Sequence, residues 1–188
     1  MVRAFEERPV EVASLTRVLD AARRAPSAGS TQALDLVVLE GAAERARYWA
    51  LTFPDPAARA RFRWQGLFAA PVLVICIVDA DAYAARYGEA DKAATGLDAA
   101  DAWTVPYWWV DGGAAVENVL LASVDEGLGA LFFGLFEHET AVLTALGVPS
   151  GRRALGTIAI GHPAPDEPGR SSARPQRPLD QVVHRGRW

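Results

Sequence analysis

Three features of the sequence predict an α+β fold in which helices pack against a central sheet. Apolar residues recur at helical spacing in several segments, and short β-branched runs lie between those segments. One run, Val72 to Val78, is apolar throughout, as in a strand buried on both faces. The 188 residues fit a single domain, and 51% hydrophobic against 22% charged residues allows a sizeable core and excludes general disorder.

Residues 11 to 24 read as a helix, with Val12, Leu15, Val18, Leu19 and Ala22 on one stripe. Pro26 and Gly29 end it, and Leu34 to Leu39 follow as a short strand. Residues 42 to 52 and 57 to 67 resemble two arginine-rich amphipathic helices separated by Pro54 and Pro56. After the buried strand, the polar, alanine-rich stretch from Asp79 to Ala102 predicts short helices and loop. A longer helix is expected from about Asp111 to Glu126, then a strand from Leu128 to Phe133, a helix over 138 to 146 and a strand from Leu155 to Ile160. The segment from His162 holds Pro163, Pro165, Pro168, Pro175 and Pro178, so residues 162–188 are expected to be an extended C-terminal tail. With no internal repeat and no long linker, residues 1–188 form one expected domain.

Charge is unevenly placed. Residues 79 to 126 carry ten acids against only Arg86 and Lys92, whereas residues 170 to 188 carry five arginines against only Asp180. Such a basic tail suits a partner surface or a local anion site. The overall pI of about 5.4 opposes nucleic-acid binding. No apolar run is long enough to span a membrane, and MVRAFEERPV does not read as a signal peptide. The lone Cys76 excludes an internal disulfide framework and a cysteine metal cluster, so a cytoplasmic location is expected.

The common catalytic constellations are missing. His138, His162 and His184 lie far apart with no HExxH spacing, and there is no GxSxG. Asp79 and Asp81 fit a solvated strand end better than a magnesium site. Cys76 lies in an apolar strand that disfavours a thiolate, Lys92 has no supporting motif, and the glycines at 127, 129 and 134 do not lead a strand into a helix. Polar punctuation remains. Pro26, Ser27, Ala28, Gly29, Ser30, Thr31 and Gln32 fit equally a turn offering N–H and hydroxyl groups to a planar polar ligand and an ordinary helix cap. After Phe132 and Phe133, Gly134 fits either a close approach of ligand to main chain or a plain strand-to-loop bend.

Taken in order, several segments resemble the FMN-dependent nitroreductase family. They are Arg3-Ala4-Phe5 with Arg8-Pro9-Val10, the run Ala21 to Gln32, Gly127-Leu128-Gly129 with Phe133-Gly134, and Ile160-Gly161-His162-Pro163 with the run Arg177 to His184. The likeness covers residues 3 to 40 and 111 to 188 and is weak between about 41 and 105. It implies a sandwich with a mostly antiparallel central sheet flanked by helices, assembled as an intertwined homodimer with FMN at each of two interface sites. Arg177 matches a late phosphate ligand, and Arg174 is a second candidate suited by its planar, paired donors. Pro26, Ser27, Ala28, Ser30 and Gln32 match the stretch that meets the flavin from the second subunit. Gly134 matches the site whose N–H approaches flavin N5, with Phe133 beside it, and Arg3 matches a basic residue near the N1 and O2 edge. The family's opening arginine pair would precede Met1, which falls on its serine position, so weaker FMN binding is expected. Asparagine is common where Ser30 stands.

The resemblance implies an oxidoreductase that passes hydride from NAD(P)H through FMN to a small-molecule acceptor such as a nitroaromatic or quinone. No side chain is required as a general acid, so no catalytic residue is named. Alternative readings are a storage or regulatory flavin-binding protein with little turnover, a specialised enone-reducing, dehalogenating or dehydrogenating enzyme of the same fold, and a cofactor-free dimer. Trp103, Tyr107, Trp108, Trp109, Phe132, Phe133 and Phe136 are candidates for a substrate pocket, although core and interface packing suits most of them better.

Overall fold

The computed structural model describes residues 1–167 and 169–188; Pro168 and the side chains of Arg170 and Ser171 lie outside that description. Four strands, β1 (Leu34–Leu39), β2 (Val72–Val78), β3 (Gly129–Phe133) and β4 (Arg153–Gly161), form one sheet in the order β1-β2-β4-β3. Every neighbouring pair is antiparallel, with Leu36 opposite Cys76, Val74 opposite Ile158 and Leu131 opposite Ala159. The helices are α1 (Val12–Arg23), α2 (Ala42–Thr52), α3 (Pro56–Arg61), α4 (Ala80–Tyr87), α5 (Tyr107–Asp125) and α6 (Glu139–Ala145).

Alternation along β2 sets the layers. Leu73, Ile75 and Ile77 share a core with Tyr48 and Trp49 of α2 and Val142 and Leu143 of α6. Val72, Val74 and Cys76 share another with Leu15, Val18 and Ala22 of α1 and Ala115, Val116 and Val119 of α5. Side chains of a strand point alternately to its two faces, so an unbroken apolar run is what a sheet covered on both sides requires. Burial also pushes the Cys76 thiol up to about 12, so it stays a neutral core residue.

Local chemistry explains the starts of three helices, α2, α3 and α4. Glu44 accepts from the Gly41 N–H at 3.0 Å before α2, and Asp55 accepts from the Ala57 N–H at 2.8 Å with Pro56 opening α3. Asp79 caps α4 by accepting from the Asp81 N–H at 3.0 Å, and its other oxygen pairs with Arg152. Asp79 is therefore a buried helix cap instead of a solvated strand end, and Asp81 lies in the first turn of α4.

Two expected helices differ from those observed. The helix expected over 57 to 67 stops at Arg61, and Gln65–Ala69 forms a separate 3₁₀ turn. Gln65 closes the earlier helix by donating from its amide to the carbonyls of Phe62 at 2.6 Å and Arg59 at 2.8 Å. In the other case α5 starts at Tyr107, because Trp108 is drawn into a core cluster with Val78, Tyr83 and Trp103. Burial of that ring outweighs the modest helix propensity of an aromatic run.

The N-terminal segment lies along the end of the sheet. The Val2 N–H donates to the Ala130 carbonyl at 3.0 Å, Phe5 to Gly66 at 3.1 Å and Glu6 to His162 at 2.9 Å. Arg3 is thereby held between β3 and the segment before β2. Among the described residues beyond His162, Pro163 bridges to Phe5 and the Ala164 N–H donates to the Ala4 carbonyl at 3.0 Å, short 3₁₀ turns span 170–173 and 179–181, and most of the tail is exposed.

Candidate active site

Two concave regions hold most of the residues singled out by the sequence. One is a cavity of about 410 Å³ beside α2, in the size range of small-molecule sites. Its walls are aromatic. Trp49 lies 6.0 Å from Phe133 in a stacked arrangement and meets Phe68 edge-on at 4.9 Å, while Phe53 meets Phe62 at 5.0 Å. Arg3, Phe133 and Gly134 line this cavity, as expected, together with Phe136. A Cβ added at Gly134 would come within 3.0 Å of the Phe136 ring, so the main chain is open to close approach only while this position is glycine. Polar groups are few, but the indole Nε1–H groups of Trp49 and Trp64 are buried without an acceptor.

The second region is a pocket of about 90 Å³ lined in part by Pro26, Ser27, Gln32, Tyr83 and Asp111. It belongs to the α1 and α5 side of the sheet, and it shares no lining residue with the cavity. Here the donors are already used. One Asp111 carboxylate oxygen accepts from the Ala28 N–H at 2.6 Å and from the Tyr83 hydroxyl at 2.7 Å. The Ser27 hydroxyl accepts from the Gln32 N–H at 2.9 Å. Burial, with the adjacent Asp111 acting in the same direction, pushes the Tyr83 hydroxyl up to about 12, so it remains a proton donor. Arg86 donates to the Gly29 carbonyl at 2.9 Å and is held in turn by Asp91 through two bonds of 2.8 Å. Gly29 has φ 62°, and a Cβ there would fall 2.8 Å from the Tyr87 ring. The acidic middle of the chain thus braces the 26–32 turn.

Among the described residues, the non-glycine positions with positive φ are Ser30 (54°), Gln32 (53°) and Phe136 (48°). All three lie in the turn or at the cavity. Such conformations cost energy for side-chain-bearing residues, and they persist only where surrounding contacts hold them.

Arg174 and Arg177 join neither region. The Arg177 guanidinium donates to the Gln181 carbonyl within the tail, and Arg174 is exposed. Of the aromatic residues proposed for a pocket, Phe133 and Phe136 reach the cavity, whereas Trp103 and Trp108 are buried around Tyr83. Tyr48, Trp49, Phe53, Phe62 and Trp64 were missed as site residues. The signal was present as aromatics clustered at 48–53 and 62–68, but it was hidden within segments read as arginine-rich surface helices.

The sequence model of the nitroreductase family matches residues 1–162. The chain belongs to the nitroreductase family. It is 25% identical to a provisionally named NADH dehydrogenase/NAD(P)H nitroreductase of Archaeoglobus fulgidus, in a match spanning 100% of this chain and 92% of that protein. It is 32% identical to an NADPH-dependent oxidoreductase of Staphylococcus aureus, but that match spans only 42% of this chain and 31% of the relative. Among solved structures, a provisionally named nitroreductase from Desulfovibrio desulfuricans in complex with FMN has a TM-score of 0.69 and 22% identity, covering 97% of this chain and 88% of its own. The fold is therefore that of nitroreductases. Among the described residues, no helix is long and apolar enough to cross a membrane.

Proposed function

We propose that this chain is a flavin-dependent oxidoreductase that binds FMN and passes hydride from NAD(P)H to a nitroaromatic, quinone or similar small acceptor, working as a cytoplasmic homodimer. The observation that carries this reading is the aromatic cavity, where Gly134 leaves main chain open beside Arg3. Flat aromatic walls suit a planar ring system. Flavin relatives fit the same picture, since one neighbour of this fold was solved with FMN and two relatives carry nicotinamide-dependent names.

When bound, FMN supplies the two-electron chemistry, accepting hydride from the nicotinamide and passing electrons to the acceptor. The residues of the chain bind and orient. Arg3 would place positive charge beside the pyrimidine edge, the Gly134 N–H would meet the ring near N5, and Phe133 with Trp49 would keep water from one wall. Solvent supplies the proton.

The dimer is supported by the separation of the two regions. Pro26, Ser27, Ala28, Ser30 and Gln32 sit away from the cavity of their own chain, so a second copy is needed to bring such a turn to the flavin. Apolar surface is available for that contact, with Val12 77%, Leu121 61% and Val124 70% exposed on α1 and α5. Arg174 and Arg177 would then reach the FMN phosphate from the partner's tail. These assignments also make residues 1–188 one FMN-binding domain.

The test is a visible spectrum of purified protein after incubation with excess FMN and desalting, followed by anaerobic addition of NADPH or NADH. A retained flavin band that bleaches with reductant supports the reading, and equilibrium sedimentation at twice the chain mass supports the dimer. A protein that stays colourless overturns it. Retained FMN that neither reductant bleaches would leave a flavin-binding protein without this turnover.

A further inference from the structure

Phe136 stands at the rim of the aromatic cavity in a conformation that the fold alone does not call for. Its neighbour Leu135 is buried in the core shared by α2 and α6, whereas Phe136 is 81% exposed. The Phe136 backbone is left-handed, with φ 48°, where glycine or asparagine carries less strain. Main-chain bonds hold the short turn Phe136–His138. The Glu139 N–H donates to the Phe136 carbonyl, and the His138 N–H donates to the Leu135 carbonyl at 3.0 Å. Neither bond uses the ring. Strain and exposure are thus two costs of this side chain, and strained residues of this kind cluster at ligand sites.

The ring lies against Gly134. Its carbons are 3.0 to 3.3 Å from the place that a Cβ would take there. The other aromatic residues that line the cavity are buried or half-buried. On the flavin reading the Gly134 N–H meets the ring near N5, so Phe136 is the exposed aromatic residue beside the reacting atom.

We propose that Phe136 is a specificity-determining contact for the electron acceptor, its exposed ring stacking on flat ring acceptors such as quinones. The inference rests on the flavin reading and assigns acceptor choice in part to one residue.

The experiment loads the protein with FMN, reduces it anaerobically with stoichiometric dithionite and mixes it with 1,4-naphthoquinone or ferricyanide, following the return of the flavin band. The quinone takes a hydride and a solvent proton to become the hydroquinone. Two ferricyanide ions take one electron each and release a proton to solvent. Only the quinone offers a ring face. Phe136→Leu is expected to lower the ratio of quinone to ferricyanide rates about three- to tenfold, and Phe136→Trp to restore it. Oxidised holoprotein cannot reduce the quinone, so calorimetric titration of that form reads binding alone. Phe136→Leu should weaken that binding by the same factor. In flavin-free protein, Phe136→Asn should keep or raise the thermal midpoint, since asparagine tolerates this backbone.

An unmoved rate ratio or unaltered quinone binding in Phe136→Leu overturns the contact. A midpoint lowered by more than about 5 °C in Phe136→Asn also overturns it, by making the ring a structural element. So does a change from dimer to monomer in sedimentation of Phe136→Leu, which would place the ring between two copies. In each case FMN retained by the parent protein leaves the flavin reading standing. A parent protein that retains no FMN overturns that reading and this inference with it.

Discussion

The aromatic cavity beside α2 and the 26–32 turn beside α5 use polar groups in opposite ways. In the turn, the Ala28 N–H, Tyr83 hydroxyl and Gln32 N–H all have partners within the chain, and Arg86 holds the Gly29 carbonyl. In the cavity, two indole N–H groups have none. A saturated network fixes a shape, because removing any member leaves another polar group without its partner. An apolar, aromatic-walled cavity is suited to a ligand with a flat apolar face. On the proposed reading, the turn is a rigid surface feature offered to a second copy and the cavity receives the ligand.

The sharpest way to break this contrast is to remove the acceptor that the turn depends on. Asp111→Ala leaves the Ala28 N–H and the Tyr83 hydroxyl without it and should cost roughly 2–4 kcal/mol, lowering the thermal midpoint by about 5–15 °C. Trp64→Phe in the same ligand-free assay should move the midpoint by no more than about 3 °C, since the lost N–H has no partner. Equal shifts in the two variants would remove the distinction between the regions.

A second variant asks whether the cavity receives its ligand at the main chain. Gly134→Val should weaken FMN at least about tenfold, by filling the approach beside Phe136, with a thermal midpoint within a few degrees of the parent. Unchanged affinity would move the ligand away from Gly134.

The smallest effect concerns how α1 and α5, which carry the turn and Asp111, are fixed to each other. Arg17 and Glu126 form a two-bond pair of 2.5 and 2.6 Å, and that pairing, with Ser14 assisting, lowers the Glu126 carboxyl from 4.5 to about 2. A depressed carboxylate stabilises the fold fully above its unfolded value and loses that contribution as pH falls through the folded one. The stability difference between parent and Glu126→Gln should therefore be constant near neutrality and close as pH drops from about 4.5 to about 2. A difference that persists at pH 2 would assign the effect to packing.

Much of the architecture is legible in particular stretches of sequence. The run Val72 to Val78 has no polar position to give to solvent, so a two-sided sheet follows from its composition, and helices at both faces follow from the sheet. The turn and Gly134 stand out because glycine, proline and small hydroxyl residues mark places where backbone geometry is special. By contrast, Trp49 and Trp64 lie among arginines, and a period-based reading places those arginines on solvated helix faces. Arg59 instead lies 4.5 Å from the Phe68 ring centroid, and Arg63 lies over Trp64. Long arginine side chains can pack over aromatic surface while keeping charge at the edge, and no helical period records that.

By itself the sequence determined the fold class, the family pattern and the two stretches of special backbone, because these depend on local chemistry and on the spacing of apolar residues. Only the tertiary structure decided that the two stretches belong to opposite sides of the sheet. It alone joined Asp111 and Tyr83 to the turn, 83 and 56 residues away from the groups they meet there. It alone left two indole donors unpaired around a cavity. Those are properties of surfaces brought together over long sequence separations, where burial and hydrogen-bond satisfaction depend on what the rest of the chain places alongside.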